Sequence, residues 1–203
     1  VTNSHAGNDL ALERVLFFSD AVFAIAITLL VIEIKVPELH GPTDGELGRA
    51  LLQLLPRIIG FVVSFFLIGQ TWAEHHLIGR QLRGFDRGLV WKNLWLLFFV
   101  AAMPFVSALF SEYFSSRLAV TIYALTFTGL GLAKAGLWRY VVRQGLVDTT
   151  TPEVAAISRR IMAPPTGAAA VAILGAAGVP FAVAGFGLIP ILVRIFDRRG
   201  RVS

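Results

Sequence analysis

Apolar residues in this chain come in long runs broken by short polar punctuation, with neither strict alternation nor a 20–50-residue repeat. The first run, RVLFFSDAVFAIAITLLVIEI (Arg14–Ile34), is representative, because beyond Asp20 it contains no charge until Glu33. Continuous apolar stretches of about 18 residues or more are membrane spans by default, since lipid offers the backbone no hydrogen bonds. Six such segments are predicted: Glu13–Val36, Arg49–Gly79, Gly88–Phe114, Ser116–Val142, Pro152–Gly178 and Pro180–Phe196. Pro164-Pro165 is expected to kink the fifth, and Gly178-Val179-Pro180 leaves a very tight turn before the short sixth. The turn-rich PELHGPTDGELG separates the first two. The expected fold class is therefore all-α, a polytopic membrane protein with six transmembrane helices in a single domain over residues 1–203.

Composition agrees with this reading. Hydrophobic residues make up 56% of the 203 and charged residues only 15%, too little polar surface for a soluble domain of this size. The absence of cysteine excludes disulfides, thiolate catalysis and cysteine-ligated metals. A net charge of +5 would suit nucleic acid in a soluble protein, but in a membrane protein it places arginines against anionic lipid, and no nucleic-acid partner is expected. Residues 1–10 are expected to be disordered and to hold no removable leader, and residues 198–203 form a basic tail.

Lysine and arginine placement sets the orientation. With the N-terminus inside, the inner side collects Arg80, Arg83, Arg87, Lys92, Arg139, Arg143, Arg159, Arg160, Arg194, Arg198, Arg199 and Arg201. The outer side keeps Lys35, Arg49 and Arg117. Both termini are thus expected in the cytoplasm.

Wound at 100° per residue, the first segment puts Arg14, Phe18, Ala21, Ile25, Thr28, Leu29 and Ile32 on one face. Above the arginine that face carries no charge and a single hydroxyl, Thr28. Asp20, Ala24, Ile27 and Val31 fall on the far side, so Asp20 is expected to point into the subunit's own bundle, where an ionisable group needs a partner. Trp72, Glu74, His75 and His76 reach the same depth from the second segment, and Asn93 from the third. Arg14, Ser19, Asp20, Trp72, His75, His76 and Asn93 can therefore tie three helices in one hydrogen-bonded cluster. An architectural clasp is the ordinary reading of such a cluster. A metal or proton site has weaker support: adjacent histidines diverge by about 100°, and neither HExxH nor a metal-spaced acidic pair occurs. No metal, cofactor or enzymatic activity is expected.

Arg14-x-x-x-Phe18-Ser19-Asp20 with AVFAIAITLLVIEI after it resembles the first-helix signature of the transmembrane protein 175 family of potassium channels. The likeness continues through SFFLIGQTWAEHH (Ser64–His76) and KNLWLLFFVAAMPF (Lys92–Phe105), roughly the first half of the chain. It implies a prokaryotic-type channel with one six-helix repeat per chain, in the plasma membrane, assembled as a homotetramer around a pore lined by the first helix. The family's constriction falls on Ile25, its further apolar lining on Leu29 and Ile32, and its potassium-preferring threonine on Thr28. Its interhelical network falls on Arg14, Asp20, Trp72 and either His75 or His76. The glycine common after the FSD signature is Ala21 here, a change close to the expected pore, and the last three segments match no motif.

The wheel had set apart the same face. Isoleucine and leucine at i, i+4 and i+7 also describe ordinary core packing. The chain has no TVGYG-like carbonyl filter, so a ring of branched side chains closing by dewetting, with Thr28 hydroxyls one turn away, is the expected route for permeating potassium. Two other classes compete. A small secondary or proton-coupled transporter would use Asp20 and the histidines, although no internal repeat or paired broken helices are evident. A non-conducting structural or sensor protein would use none of these.

Overall fold

In the computed structural model, residues 2–113 and 115–162 are described. Among them six helices and no strands occur: α1 (Thr2–Ile32), α2 (Asp44–Gln53), α3 (Leu55–Gln81), α4 (Arg87–Glu112), α5 (Arg117–Arg143) and α6 (Pro152–Met162). Four are long and apolar enough to cross a membrane, namely Asp9–Ile32 of α1 together with α3, α4 and α5. The sixth expected segment, the Pro164-Pro165 kink and the basic tail lie outside the described residues. Of the fifth segment, only α6 lies within them.

Two expectations change. Helix α1 starts at Thr2, so residues 2–10, expected to be disordered, are helical. The segment expected from Arg49 to Gly79 is two helices. Thr43 opens α2 with a reciprocal cap: its hydroxyl accepts from the Glu46 amide, and the Glu46 carboxylate accepts from the Thr43 amide at 2.8 Å. The chain re-aims at Leu54, because Pro56 in the first turn of α3 lacks the N–H that a continuous helix would need. Asp44, Glu46, Arg49 and Gln53 also make α2 too polar for hydrocarbon, and none of its residues is buried.

Helix α4 is the centre of the bundle and packs against α1, α3 and α5, while α6 lies on α5 and α3. The core holds Phe23, Ile68, Leu96, Val100, Met103 and Leu130. Lipid tails are as apolar as leucine, so helices in a bilayer associate through close packing and interhelical hydrogen bonds rather than through the hydrophobic effect. Close packing is visible where α4 meets α5. A methyl group at Gly129 would sit 2.4 Å from the Phe99 ring, and one at Gly88 would sit 1.9 Å from the Tyr140 hydroxyl. A larger residue at either position would have to displace that ring. Asp86 joins the same two helices at the arginine-rich end, accepting from the Leu89 amide at 2.6 Å and from the Tyr140 hydroxyl at 2.8 Å.

Candidate functional site: the faces of α1

Helix α1 has two unlike faces. Phe23, Ala26 and Leu30 are buried to 1–2% exposure against the other helices. Ile25, Leu29 and Ile32 are 58%, 42% and 67% exposed, and Ala21 and Thr28 are exposed beside them. The 3.6-residue period alone produces this split, because residues 23, 26 and 30 lie on the side opposite 25 and 32. Ala24 and Val31, expected on the packed side, are exposed, so the unpartnered face is broader than the wheel suggested. Ile27 is partly buried against the core. The Thr28 hydroxyl donates to the carbonyls of Ala24 at 3.0 Å and Ile25 at 2.9 Å. Its single proton is thereby directed into the helix, leaving oxygen lone pairs toward the open side.

The expected polar cluster resolves into two separate connections. Inside the bundle, the Ser19 hydroxyl donates to the Val15 carbonyl at 2.8 Å and accepts from the Asn93 amide nitrogen at 2.8 Å. Asn93 then turns its amide oxygen to His75 Nε2, also at 2.8 Å. With the amide so oriented, Nε2 of His75 is the protonated ring nitrogen. Ser19, His75 and Asn93 are all buried, and the Phe23 ring stands 5.5 Å from the imidazole. One hydrogen-bonded line thus joins α1, α4 and α3. Outside the core, Trp72 Nε1 donates to the Asp20 carboxylate at 2.8 Å, and the His76 ring lies 5.9 Å from the Trp72 ring.

Two placements differ from expectation. Asp20 is exposed and bonded to Trp72, rather than inside the bundle against Arg14 or a histidine. Ser19 occupies the packed side, and the next residue is turned 100° away from it. Arg14 is exposed and has no hydrogen bond or ion pair among the described residues. Six residues on a helix amount to about 120° of separation, so Arg14 and Asp20 emerge from different sides.

Sequence reasoning missed a buried ion cluster. Glu74 on α3, 1% exposed, pairs with Lys134 of α5, accepts from Gln70 Nε2 at 3.2 Å, and has Arg160 Nε of α6 at 3.6 Å. The available signal was Lys134 itself, a lone cation in an apolar span that requires an acidic partner. A second missed group is Ser64, whose hydroxyl meets those of Ser107 at 2.8 Å and Tyr123 at 2.9 Å. Hydroxyls in apolar spans commonly bind neighbouring helices in this way. Among the described residues, no group of three or more histidines, aspartates or glutamates could hold a metal ion.

A helical membrane bundle whose first span keeps one apolar, hydroxyl-bearing face free, with its other face locked by a polar line, defines a membrane protein of the pore-forming or helix-associating class. The family model for the endosomal/lysosomal potassium channel TMEM175 matches residues 14–104, the stretch that contains both polar connections. A potassium channel from Streptomyces collinus is 41% identical over 153 residues, covering 73% of each chain. The chain belongs to the TMEM175 family. Its structure is similar to that of a lysosomal potassium-selective channel TMEM175 homolog from Chamaesiphon minutus, with a TM-score of 0.79, 32% identity, and coverage of 91% of this chain and 97% of that one. The human endosomal/lysosomal proton channel TMEM175 is 35% identical over 101 residues, which are 47% of this chain and 20% of the human one. These relatives are ion channels and not enzymes.

Proposed function

We propose that the protein is a potassium-permeable channel of a prokaryotic plasma membrane. Four copies surround a pore lined by α1, each chain crosses the membrane six times, and both termini are cytoplasmic. The observation that carries this reading is the divided character of α1. Phe23, Ala26 and Leu30 are packed within the chain, while Ile25, Thr28, Leu29 and Ile32 are exposed on the other face. Symmetry supplies what the single chain lacks, since a ring of identical copies brings the same face of each together.

Ile25 forms the narrowest ring, and Leu29 and Ile32 continue the apolar lining. Branched side chains can neither coordinate a cation nor hold a water column, so the ring closes by dewetting. An ion crossing it dry would lose hydration worth several kcal/mol even after relaxation. Opening requires α1 to turn or bend until water enters. The Thr28 oxygens, facing outward as acceptors, are the side-chain oxygens this face offers to a potassium ion. The bacterial relatives are named potassium channels and the vertebrate ones proton channels, so potassium is the cargo proposed here and protons the comparison to run beside it. A coupled carrier finds less support, because its candidate groups are already engaged, Asp20 with Trp72 and His75 with Asn93.

The deciding experiment is flux in proteoliposomes under a potassium gradient without a coupled ion. Ile25→Asn should hydrate the ring and raise the flux above the parent, whereas Ile27→Asn, on the side packed against the core, should damage folding. Folded Ile25→Asn protein that conducts no more than the parent would place the constriction elsewhere, with Leu29 next. Flux that depends on a proton gradient would return the carrier to favour.

A further inference from the structure

At the end of the bundle opposite the arginine-rich loops, α1, α3 and α4 diverge around a cavity of about 450 Å³. A second space of about 550 Å³ extends from it beneath the α1–α2 loop and the end of α2. The two share Lys35, Arg57, Ser111 and Glu112, so the Arg57–Glu112 ion pair stands as a partition between them. Leu30, Phe61 and Leu109 line the first space, and Glu33 joins Lys35 at its rim. Together these volumes lie within the range of sites that enclose small organic groups.

We propose that this cavity binds the headgroup of a zwitterionic phospholipid carrying a primary ammonium, of the phosphatidylethanolamine type. The first space holds two cationic and two anionic side chains, Lys35, Arg57, Glu33 and Glu112, a balance that matches a ligand carrying one charge of each sign, and Glu38 borders the second space. Lys35 and Arg57 face the phosphate, and Glu33 and Glu112 face the ammonium. Helices α1 and α4 both end at the cavity, at Ile32 and Glu112, and the carbonyl ends of helices favour positive charge. The Arg57–Glu112 pair does not forbid entry, because both side chains are partly exposed, at 33% and 49%, and such pairs contribute little and exchange readily for other charges. Phe105 and Tyr113, 70% and 57% exposed, border the first space and provide an apolar way out for acyl chains. Aromatic side chains with a polar tip are common at this headgroup level. A primary ammonium can donate three hydrogen bonds to carboxylates and carbonyls, and a choline can donate none.

Leu30 lines the cavity from the side of α1 that faces away from Ile25 and Ile32, and Ile34 lines it just beyond the end of the helix. If α1 lines a pore, as proposed above, a bound headgroup fills the space behind its outer turns and braces it. Binding itself does not depend on that reading, and the test measures binding alone. Purified protein is titrated with phosphatidylethanolamine, phosphatidylcholine or phosphatidylglycerol of identical chains, and retained lipid is counted by native mass spectrometry. Phosphatidylethanolamine should be retained about tenfold more strongly than phosphatidylcholine, on the strength of its charge-assisted hydrogen bonds. Glu33→Gln, at an exposed position outside the core, should bring it close to the choline level, and Lys35→Gln, equally exposed, should weaken retention of both lipids alike. Equal retention of phosphatidylethanolamine and phosphatidylcholine, stronger retention of phosphatidylglycerol, or indifference to both substitutions would overturn the proposal. Equally tight binding of free phosphoethanolamine would overturn the membrane lipid as the occupant.

Discussion

Asn93 holds α1 to α3 through a single side chain, and replacing it measures what the connection contributes. Asn93→Leu keeps the bulk and removes both hydrogen bonds, each 2.8 Å long in the parent. Ser19 loses little, because its proton still reaches the Val15 carbonyl. His75 loses more: its Nε2–H, buried beside the Phe23 ring, is left with no acceptor. An unsatisfied buried donor costs about 1–3 kcal/mol. His75→Phe strands the Asn93 oxygen at a comparable cost, whereas the double variant leaves neither group exposed to an apolar site. Hydrogen bonds between membrane helices average about 0.6 kcal/mol in coupling and reach about 1.7. The completeness of burial here places this pair toward the upper end, near ~1.5 kcal/mol. The assay is a double-mutant cycle on detergent-solubilised protein unfolded at equilibrium and followed by circular dichroism. The double variant should be more stable than the sum of the single effects by that amount. Additivity within about 0.3–0.5 kcal/mol, or an Asn93→Leu protein as stable as the parent, would show that the line carries no energy.

Thr28→Val retains the shape of the side chain and removes its outward oxygen, so reversal potentials under opposed potassium and sodium gradients should move toward zero while current persists; an unchanged preference makes Thr28 a packing residue. Lys134→Ala leaves Glu74 buried without its main counter-charge and should cost about 3–5 kcal/mol. Lys134→Met with Glu74→Leu should recover most of this in a thermal melt, and a double variant as unstable as the single one would contradict the pairing. The Asp148 carboxyl is held below its usual range first by the Thr150 hydroxyl and amide and then by Arg83, whose Nη1 lies 2.9 Å away. A depressed carboxylate stabilises this loop above its ordinary pKa and loses that effect as pH falls through the lowered value. Amide exchange at Thr150, corrected for intrinsic rates, should therefore accelerate in that acid range, and Asp148→Asn should show the faster exchange at neutral pH.

Span-level architecture was legible because lipid imposes one strong rule on the backbone, and Asp9–Ile32, α3, α4 and α5 obey it. The joint at Leu54 was hidden because Leu51, Leu52, Leu54 and Leu55 continue the apolar text across it. Only the Thr43–Glu46 cap and Pro56, read together, mark two helices instead of one. Ser19, His75 and Asn93 came together as their depths suggested, since helices of known pitch bring equal depths level. Asp20 and Arg14 separated because depth does not specify azimuth: one residue is a turn of 100°, and Ser19 took the inner position. Lys134 and Glu74 went unpaired in the reading because they are 60 residues apart, and nothing local in α5 identifies α3 as its neighbour. The free face of Ile25, Thr28, Leu29 and Ile32 followed from periodicity and was narrower in expectation than in the bundle.

The line from α1 to α4 also sets a timetable for synthesis. Ser19 and Asn93 are 74 residues apart, and Asp20 and Trp72 are 52 apart. At roughly 5–20 residues per second, α1 emerges about 4–15 s before Asn93 does. Ser19 can wait, because its own Val15 carbonyl already receives its proton. Asp20 accepts rather than donates, and it has no protein donor until the Trp72 indole arrives. In the interval that carboxylate has only headgroups and water to solvate it, and it gains a protein donor once α3 has been made. A ribosome stalled before Trp72 emerges should hold an α1 whose Asp20 has no indole partner, and one stalled beyond α3 should show the Trp72 indole N–H bonded to it.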